Sequence, residues 1–222
     1  MGSPKRVGGR QAQHYANQMP MNGLPRVYSY KLTRDYGFAP NPFHGICTLA
    51  TCKPQIRRGA QVGDIVVGCG SAELNMVGKL IFMMRVSEKM TFQQYWDDPR
   101  FSIKKANLHA SKAAAYGDNI YHIDNQQWIQ EDSHHSGEDG VENPANLKRD
   151  LGSDNVLIGQ DFVYWGSNAI DMPQDLRDLD FDDLYPDTRN YRSVYSDAFR
   201  YGVDAWLRAF PTRGYRGSPS SW

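Results

Sequence analysis

The stretch VGDIVVGCGS, residues 62–71, is a distinctive unit that predicts a turn followed by a strand. Its Gly63-Asp64 pair favours a turn, because Asp tolerates turn angles and bonds nearby amides, and the apolar β-branched run after the pair favours a strand. A similar run follows at residues 79–86, and β-prone residues alternate ahead of it at residues 27–32. The centre of the fold is therefore predicted to be a β-sheet.

Outside these strands the pattern continues in both directions. Residues 46–52 form a compact apolar run that predicts a strand buried on both faces, and the strand pattern resumes at residues 156–158 and 162–166. Thr91 precedes apolar residues at helical spacing, and a C-terminal helix is indicated by residues that recur at such spacing, namely Phe199, Val203, Trp206 and Phe210. We predict an α+β fold: a curved mixed or antiparallel sheet, or a small barrel, with flanking helices that include a C-terminal one.

Composition limits the class of protein. The chain has 222 residues, of which 40% are hydrophobic and 23% charged, a composition typical of a globular protein. Residues 1–25 are expected to be a flexible arm, and residues 26–222 are expected to fold as one domain. Three cysteines and the lack of a secretory segment favour a reducing, cytoplasmic location. No apolar run approaches the roughly 18 residues that a membrane-spanning helix needs, so no membrane role is expected.

Charge excludes one mode of nucleic-acid binding. The 25 Lys and Arg residues balance the 25 Asp and Glu residues, so no global positive field would hold DNA through many phosphates. Binding would require a local patch, and Lys53, Arg57 and Arg58 lie near loops that carry the aromatic residues Tyr36 and Phe38. Cations for phosphate and rings for stacking are what a nucleotide or a flipped base requires, although charges on a solvated surface are commoner than sites.

Several motifs in order resemble a known family. They include APNPF at residues 39–43, TLATCKP at 48–54, the 62–71 stretch, GDNIY at 117–121, SHHS at 133–136 and NPAN at 143–146. This series resembles the second class of nucleotide modification associated domains, over nearly all of residues 26–222. The resemblance implies a phage or bacterial setting of DNA-base modification or defence, and a nucleotide or modified base as ligand, free or within DNA. A looser likeness, to base-binding domains of the PUA type, rests on the Val-Gly-Asp turn alone.

Ligand-binding candidates follow from these motifs. Glycines permit close backbone approach to a phosphate or base edge, but no Gly-Lys-Thr follows Gly68 and Gly70, so the segment is no P-loop. The ligand-binding residues that the motifs imply are Asn41, Lys53, Arg57, Gly68, Gly70, Ser71, Tyr121 and Asn146.

The strongest catalytic candidates are His134 and His135, because imidazole titrates near neutrality and serves as acid, base or ligand. Both histidines lie in the polar region 99–146, whose composition predicts a long loop. A solvated loop is the plainer interpretation of two adjacent histidines. Ser136 and Asp150 are the candidate helpers.

The spacing of Cys47 and Cys52 is compatible with a zinc site. Residues 47 and 52 differ by an odd number, so on one continuous strand Cys47 and Cys52 would point to opposite faces. Neither a metal nor a cofactor is therefore predicted, and the cysteines are interpreted as small buried hydrophobes. A Cys-His nucleophile stays open, although no local signature supports one.

Three functions fit the sequence. The first is a module that binds a nucleotide or modified base in an aromatic pocket and needs no catalytic group. The second is an enzyme of nucleotide or base modification, by group transfer or hydrolysis, in which His134 or His135 moves protons. The third is a protein-interaction component of a phage or defence complex.

Overall fold

The computed structural model describes residues 23–188 and 190–222, and its main sheet is built around the predicted central strand. Strand β3 (Ile65–Gly70) is buried at every residue. It pairs in parallel with β1 (Val27–Leu32) and antiparallel with β4 (Lys79–Arg85). The other strands of this seven-stranded sheet are β9 (Asp161–Tyr164), β10 (Ile170–Asp171), β11 (Tyr191–Arg192) and β12 (Gly214–Tyr215), in the order β11-β1-β3-β4-β9-β12, with β10 on β4.

Two smaller sheets complete the β-structure. One has the order β2-β8-β5 and is formed by β2 (Cys47–Leu49), β5 (Glu88–Met90) and β8 (Val156–Gly159). The other is the hairpin of β6 (Tyr121–Asp124) and β7 (Gln127–Gln130). The α+β prediction is confirmed, and the sheets of the described residues form no closed barrel.

Five α-helices lie among the described residues: α1 (Pro54–Gly59), α2 (Phe92–Asp97), α3 (Lys112–Ala115), α4 (Pro144–Asp150) and α5 (Asp197–Ala209). The helix indicated after Thr91 is α2, and Thr91 caps it by accepting a hydrogen bond from the Gln94 amide. Short 3-10 helices cover Phe43–Gly45, Pro99–Lys104, Glu138–Gly140, Gly166–Asn168 and Gln174–Leu176.

Two apolar cores cover the two faces of the main sheet. Side chains alternate along β1, so Val27 packs with α5 residues such as Phe199 on one face. Tyr28 and Tyr30 point to the opposite face, where they pack with Leu49 of the second sheet. The predicted C-terminal helix is thereby confirmed, and Tyr30 is directed towards the layer that contains the turn after β2.

Two predictions about local structure need correction. The strand predicted at residues 46–52 ends at Leu49, so Cys52 lies in a bend and not in the strand. The polar region 99–146 is not a long loop, because it contains α3, the β6-β7 hairpin and the start of α4. Most of the predicted arm, residues 1–22, lies outside the described residues.

Within the two described segments, no helix is both long enough and apolar enough to cross a membrane.

Candidate functional site

A pocket of about 480 Å³ lies where three segments meet. Its wall is formed by residues 30–34, 36, 38 and 39, by the Cys52-Lys53 turn after β2, and by the pair His134-His135 with residues 146 and 149 of α4. Pockets that hold small molecules are commonly of roughly 300–1,000 Å³. The pocket is thus large enough for a nucleotide, and it contains four of the residues predicted from sequence, Lys53, His134, His135 and Asn146.

Cys52 is presented by an unusual turn. Its φ of 55° and that of Lys53, 41°, lie in the left-handed region, which L-residues adopt at a cost of roughly 1–2 kcal/mol each. The Cys52 amide donates to Asp150 Oδ1 at 2.8 Å, and Pro54 begins α1 immediately afterwards. Backbone strain of this kind clusters at functional sites, and here it directs a half-buried thiol into the pocket.

Cys52, His135 and Asp150 form a thiol-imidazole-carboxylate series. The Cys52 Sγ lies 3.8 Å from His135 Nε2, and His135 Nδ1 lies 2.7 Å from Asp150 Oδ2. A base within reach of a nucleophile, itself oriented by a third group, is the geometric signature of nucleophilic catalysis. Three residues that are distant in sequence therefore meet as a potential triad.

Asp150 and His135 are held in place by neighbouring side chains. Asp150 is fully buried, and the Tyr121 hydroxyl donates to its Oδ2 at 2.9 Å. Gln130 Nε2 lies 3.0 Å from that hydroxyl and 3.2 Å from the His135 carbonyl oxygen. Asn146 Nδ2 donates to the same carbonyl at 2.8 Å. Tyr121 and Asn146 thus support the triad from behind it.

The electrostatics of the pair favour an imidazolium. Burial by itself would lower the pKa of His135, but its hydrogen bonds to Asp150 and Cys52 raise that pKa to about 9. Burial would raise the pKa of Asp150, but the hydrogen bond and the charge of His135 hold it below its usual value. A cationic imidazole beside a sulfur stabilises negative charge on that sulfur.

His134 has the opposite character. Its ring lies 4.8 Å from Tyr36, 5.3 Å from Phe38 and 5.0 Å from Tyr116, measured between centroids. Burial, followed by the charges of His135 and Arg34, lowers the pKa of His134 to about 4. At neutral pH His134 is an uncharged member of an aromatic wall, and only His135 is placed to move protons to or from Cys52.

The pocket wall carries positive charge without a matching negative one. Lys31, Arg34, Lys53 and Arg149 line it, and no carboxylate is among the described residues that do so. Since the whole chain is electrically balanced, this is a local patch of the type that the sequence required for binding a phosphate.

The potential ligand atoms of Cys52, His135 and Asp150 lie within 4.8 Å of one another, close enough to share one metal ion. Both Asp150 oxygens are already hydrogen-bonded, Oδ1 to the Cys52 amide and Oδ2 to His135 and Tyr121. Only the sulfur and one imidazole nitrogen are left to coordinate, fewer than the three or four ligands of a zinc site. The donor set fits a triad better than a metal centre.

Arg57 joins the Cys52 turn to the backbone around Asp150. It is fully buried, and its guanidinium donates to the carbonyl oxygens of Cys52 at 2.8 Å and Asp150 at 2.5 Å. Two further bonds reach the carbonyls of Ser153 and Asn155, at 2.7 and 2.6 Å. Arg57 is among the ligand-binding residues predicted from the sequence. It does not line the pocket, and its guanidinium is hydrogen-bonded to backbone carbonyl oxygens.

The glycine segment also lies away from the pocket. A Cβ on Gly68 would lie 2.2 Å from Phe82, and one on Gly70 would lie 2.1 Å from the Met76 carbonyl oxygen, so both glycines serve close packing. Ser71, next in sequence, is buried and is likewise absent from the pocket wall.

Two further candidates serve the surrounding structure. Asn41 is buried, and its Oδ1 accepts from the buried Lys104 ammonium at 2.7 Å. Ser136 Oγ donates to Ser133 O at 2.9 Å and closes a turn. Neither side chain lines the pocket.

The interpretation of Cys52 as a small buried hydrophobe needs correction, because its thiol is half-buried and lines the pocket. That interpretation required one continuous strand from Cys47 to Cys52, whereas the strand ends three residues before Cys52. Cys47 is fully buried, and burial raises its pKa to about 12, as expected of a small core residue. The signal that distinguishes Cys52 is its position directly before Lys53-Pro54, where a strand gives way to a helix.

The comparisons with known proteins agree with the motif series. The sequence model of one family, described as nucleotide modification associated domain 2, matches residues 24–222. No curated protein and no solved structure matches the chain.

Proposed function

The chain belongs to the nucleotide modification associated domain 2 family, and on that premise we propose that it is an enzyme whose Cys52 attacks a nucleotide or a modified base. One observation carries the proposal: the Cys52-His135-Asp150 series opens into a pocket lined by cations and aromatic rings. Of the two histidines, His135 takes the acid-base role in this proposal, because its ring contacts the Cys52 thiol.

The reaction class follows from the three groups. In the reactive form the proton of the Cys52 thiol is already held on His135 Nε2, and the thiolate sulfur forms a bond to an electrophilic carbon, such as the carbonyl carbon of a group attached to the base. The leaving group departs with its bonding electrons and takes the proton from His135. Water or a second acceptor then displaces the sulfur, so that hydrolysis or group transfer regenerates the thiol.

The pocket also supports the substrate class. Arg34 and Arg149 lie on its rim with largely exposed side chains, where they are available for a phosphate. Tyr36 and Phe38 provide ring surfaces for a base, as stacking on aromatic side chains does in many nucleotide sites.

The binding-module hypothesis explains less of this geometry. A binding pocket gains nothing from a strained turn that places a thiol against an imidazolium. Strain of this kind persists where the mechanism requires it. The enzyme hypothesis therefore accounts for more of the site.

Protection from alkylation tests the proposal without a known substrate. Iodoacetamide is applied in the presence of nucleoside monophosphates, modified nucleosides or short modified DNA, and the labelled cysteine is located by peptide mass spectrometry. We expect Cys52 to react, and one class of ligand to slow that reaction. Cys47 and Cys69 are buried internal controls in the same sample.

Ligands that protect Cys52 are then assayed for turnover with the wild type and with Cys52→Ala. Turnover that the substitution abolishes supports the enzyme. Protection with no turnover under any condition would instead favour the binding module, and no protection by any nucleotide would favour a protein-interaction role.

A further inference from the structure

We propose that the Tyr30 hydroxyl is the hydrogen-bond donor that stabilises the oxyanion formed when Cys52 attacks a carbonyl carbon. This inference rests on the proposed function and assigns a catalytic role to a residue outside the triad. It also narrows the substrate class to compounds with a carbonyl carbon that Cys52 can attack, because that attack places negative charge on the carbonyl oxygen.

Tyr30 lines the pocket and has a hydroxyl that is unpaired among the described residues. Its side chain is 1% exposed and lines the pocket, yet its oxygen has no hydrogen-bond partner within residues 23–188 and 190–222. Burying a hydroxyl without a partner costs roughly 1–3 kcal/mol. An exception of this kind calls for an explanation, and a ligand group that arrives during the reaction provides one.

Tyr30 also lies close to the nucleophile. Burial raises the pKa of Tyr30 well above its ordinary value, and Cys52 makes the largest electrostatic contribution in the same direction. The phenol therefore stays protonated and keeps its donor. The Lys53 ammonium lies 4.6 Å from the centre of the Tyr30 ring, which places the ring beside the Cys52-Lys53 turn.

The usual donor at such a site is already engaged. In many hydrolases the amide of the nucleophile residue donates to the oxyanion. Here the Cys52 amide donates to Asp150 at 2.8 Å, so a different donor is needed. The Tyr30 hydroxyl is unpaired among the described residues, and Tyr30 and Cys52 line the same pocket.

Another buried hydroxyl provides a matched control. Thr51 is fully buried and its Oγ1 also lacks a partner among the described residues, and Thr51 is adjacent to Cys52 in sequence. Unlike Tyr30, it is not part of the pocket wall. Tyr30→Phe and Thr51→Val each remove one unpaired hydroxyl with little change in shape, so they differ mainly in whether the substituted residue lines the pocket.

Two probes separate oxyanion stabilisation from thiol reactivity. With p-nitrophenyl acetate, the sulfur bonds to the carbonyl carbon, the carbonyl oxygen becomes an oxyanion, and p-nitrophenolate leaves as the carbonyl re-forms. Water then hydrolyses the thioester to acetate and the free thiol. With iodoacetamide, the sulfur displaces iodide from a saturated carbon, and no oxyanion forms.

We expect Tyr30→Phe to lower the Cys52-dependent rate with p-nitrophenyl acetate by about 100-fold, the loss that follows removal of one oxyanion donor. Its iodoacetamide rate should equal that of the wild type, and its melting temperature should not fall, because removing an unpaired hydroxyl costs no hydrogen bond. Thr51→Val should match the wild type with both probes. Cys52→Ala gives the background rate.

Each other result overturns the inference in a recognisable way. Equal ester rates for the wild type and Tyr30→Phe refute the role of Tyr30 while the proposed function stands. A lower melting temperature in Tyr30→Phe would show that the hydroxyl has a structural partner, and an equal loss of both rates would show a general effect on the thiol. If the wild type releases p-nitrophenolate no faster than Cys52→Ala, the proposed function fails first.

Discussion

Replacing His135 with Asn should remove a specific dependence of stability on pH. Asn keeps a side-chain amide that can donate to Asp150, but it does not titrate. In the folded protein the pKa of His135 is raised from 6.5 to about 9, so the folded state binds this proton more tightly than the unfolded state. The stability from this proton is fully present below about pH 6.5 and is lost as the pH rises through about 9.

The two pKa values set the size of the effect. Each pH unit between them corresponds to about 1.4 kcal/mol, so protonation of His135 contributes about 3 kcal/mol to the free energy of unfolding at low pH. The side chain is 10% exposed, so solvent screening removes little of this contribution.

The assay is urea unfolding of the wild type and His135→Asn from about pH 5 to about pH 10, with the free energy of unfolding extrapolated to water. We expect the wild type to lose about 3 kcal/mol relative to the variant across this range. Lys104, whose pKa burial lowers to about 8, titrates in the same window. It is present in both proteins and cancels in the difference.

A difference in stability that stays flat with pH would refute the reasoning, because it would mean that His135 is not held as an imidazolium. A difference that grows with pH would show that burial outweighs the hydrogen bond to Asp150. Asp150→Asn should flatten the wild-type curve in the same way, since the carboxylate is the main partner that raises this pKa.

Three further outcomes follow from the site. His134→Phe should leave the rate of Cys52 alkylation unchanged because His134 is a neutral member of the aromatic wall, whereas His135→Asn should lower it; equal effects would contradict the different roles of the two residues. Arg57→Met should lower the free energy of unfolding by about 3 kcal/mol or more, measured in urea, because four buried carbonyls lose their donor; a loss near zero would show that water replaces the guanidinium. Cys52→Gly should be more stable than Cys52→Ala by about 1 kcal/mol in the same assay, since glycine adopts the φ of 55° without a Cβ clash; the reverse order would show that the turn relaxes.

The sheet could be predicted because its residues obey simple periodicities. The strands around β3 alternate or run apolar, and α5 repeats its apolar residues at helical spacing. Residues 65–70 are mostly small or β-branched, a composition that favours a strand over a helix. The short β10 to β12 carry too few residues for any pattern, and their pairing depends on contacts distant in sequence.

The site could be predicted only in part. His135 and Asp150 have chemistry that sequence reasoning finds, and the family motifs directed attention to them. Cys52 was discounted because the parity argument requires a continuous strand, and the left-handed turn that ends it has no sequence signature beyond Lys53-Pro54. Tyr30 is part of an ordinary alternating strand, and only the tertiary structure shows that its hydroxyl is unpaired.

The rate of Cys52 alkylation by iodoacetamide, compared between the wild type and His135→Asn at neutral pH, measures how strongly His135 activates the thiol. We expect the wild-type rate to be at least about tenfold higher, because the imidazolium at 3.8 Å stabilises the thiolate. Equal rates in the two proteins, with both folded, would contradict the claim that His135 activates Cys52.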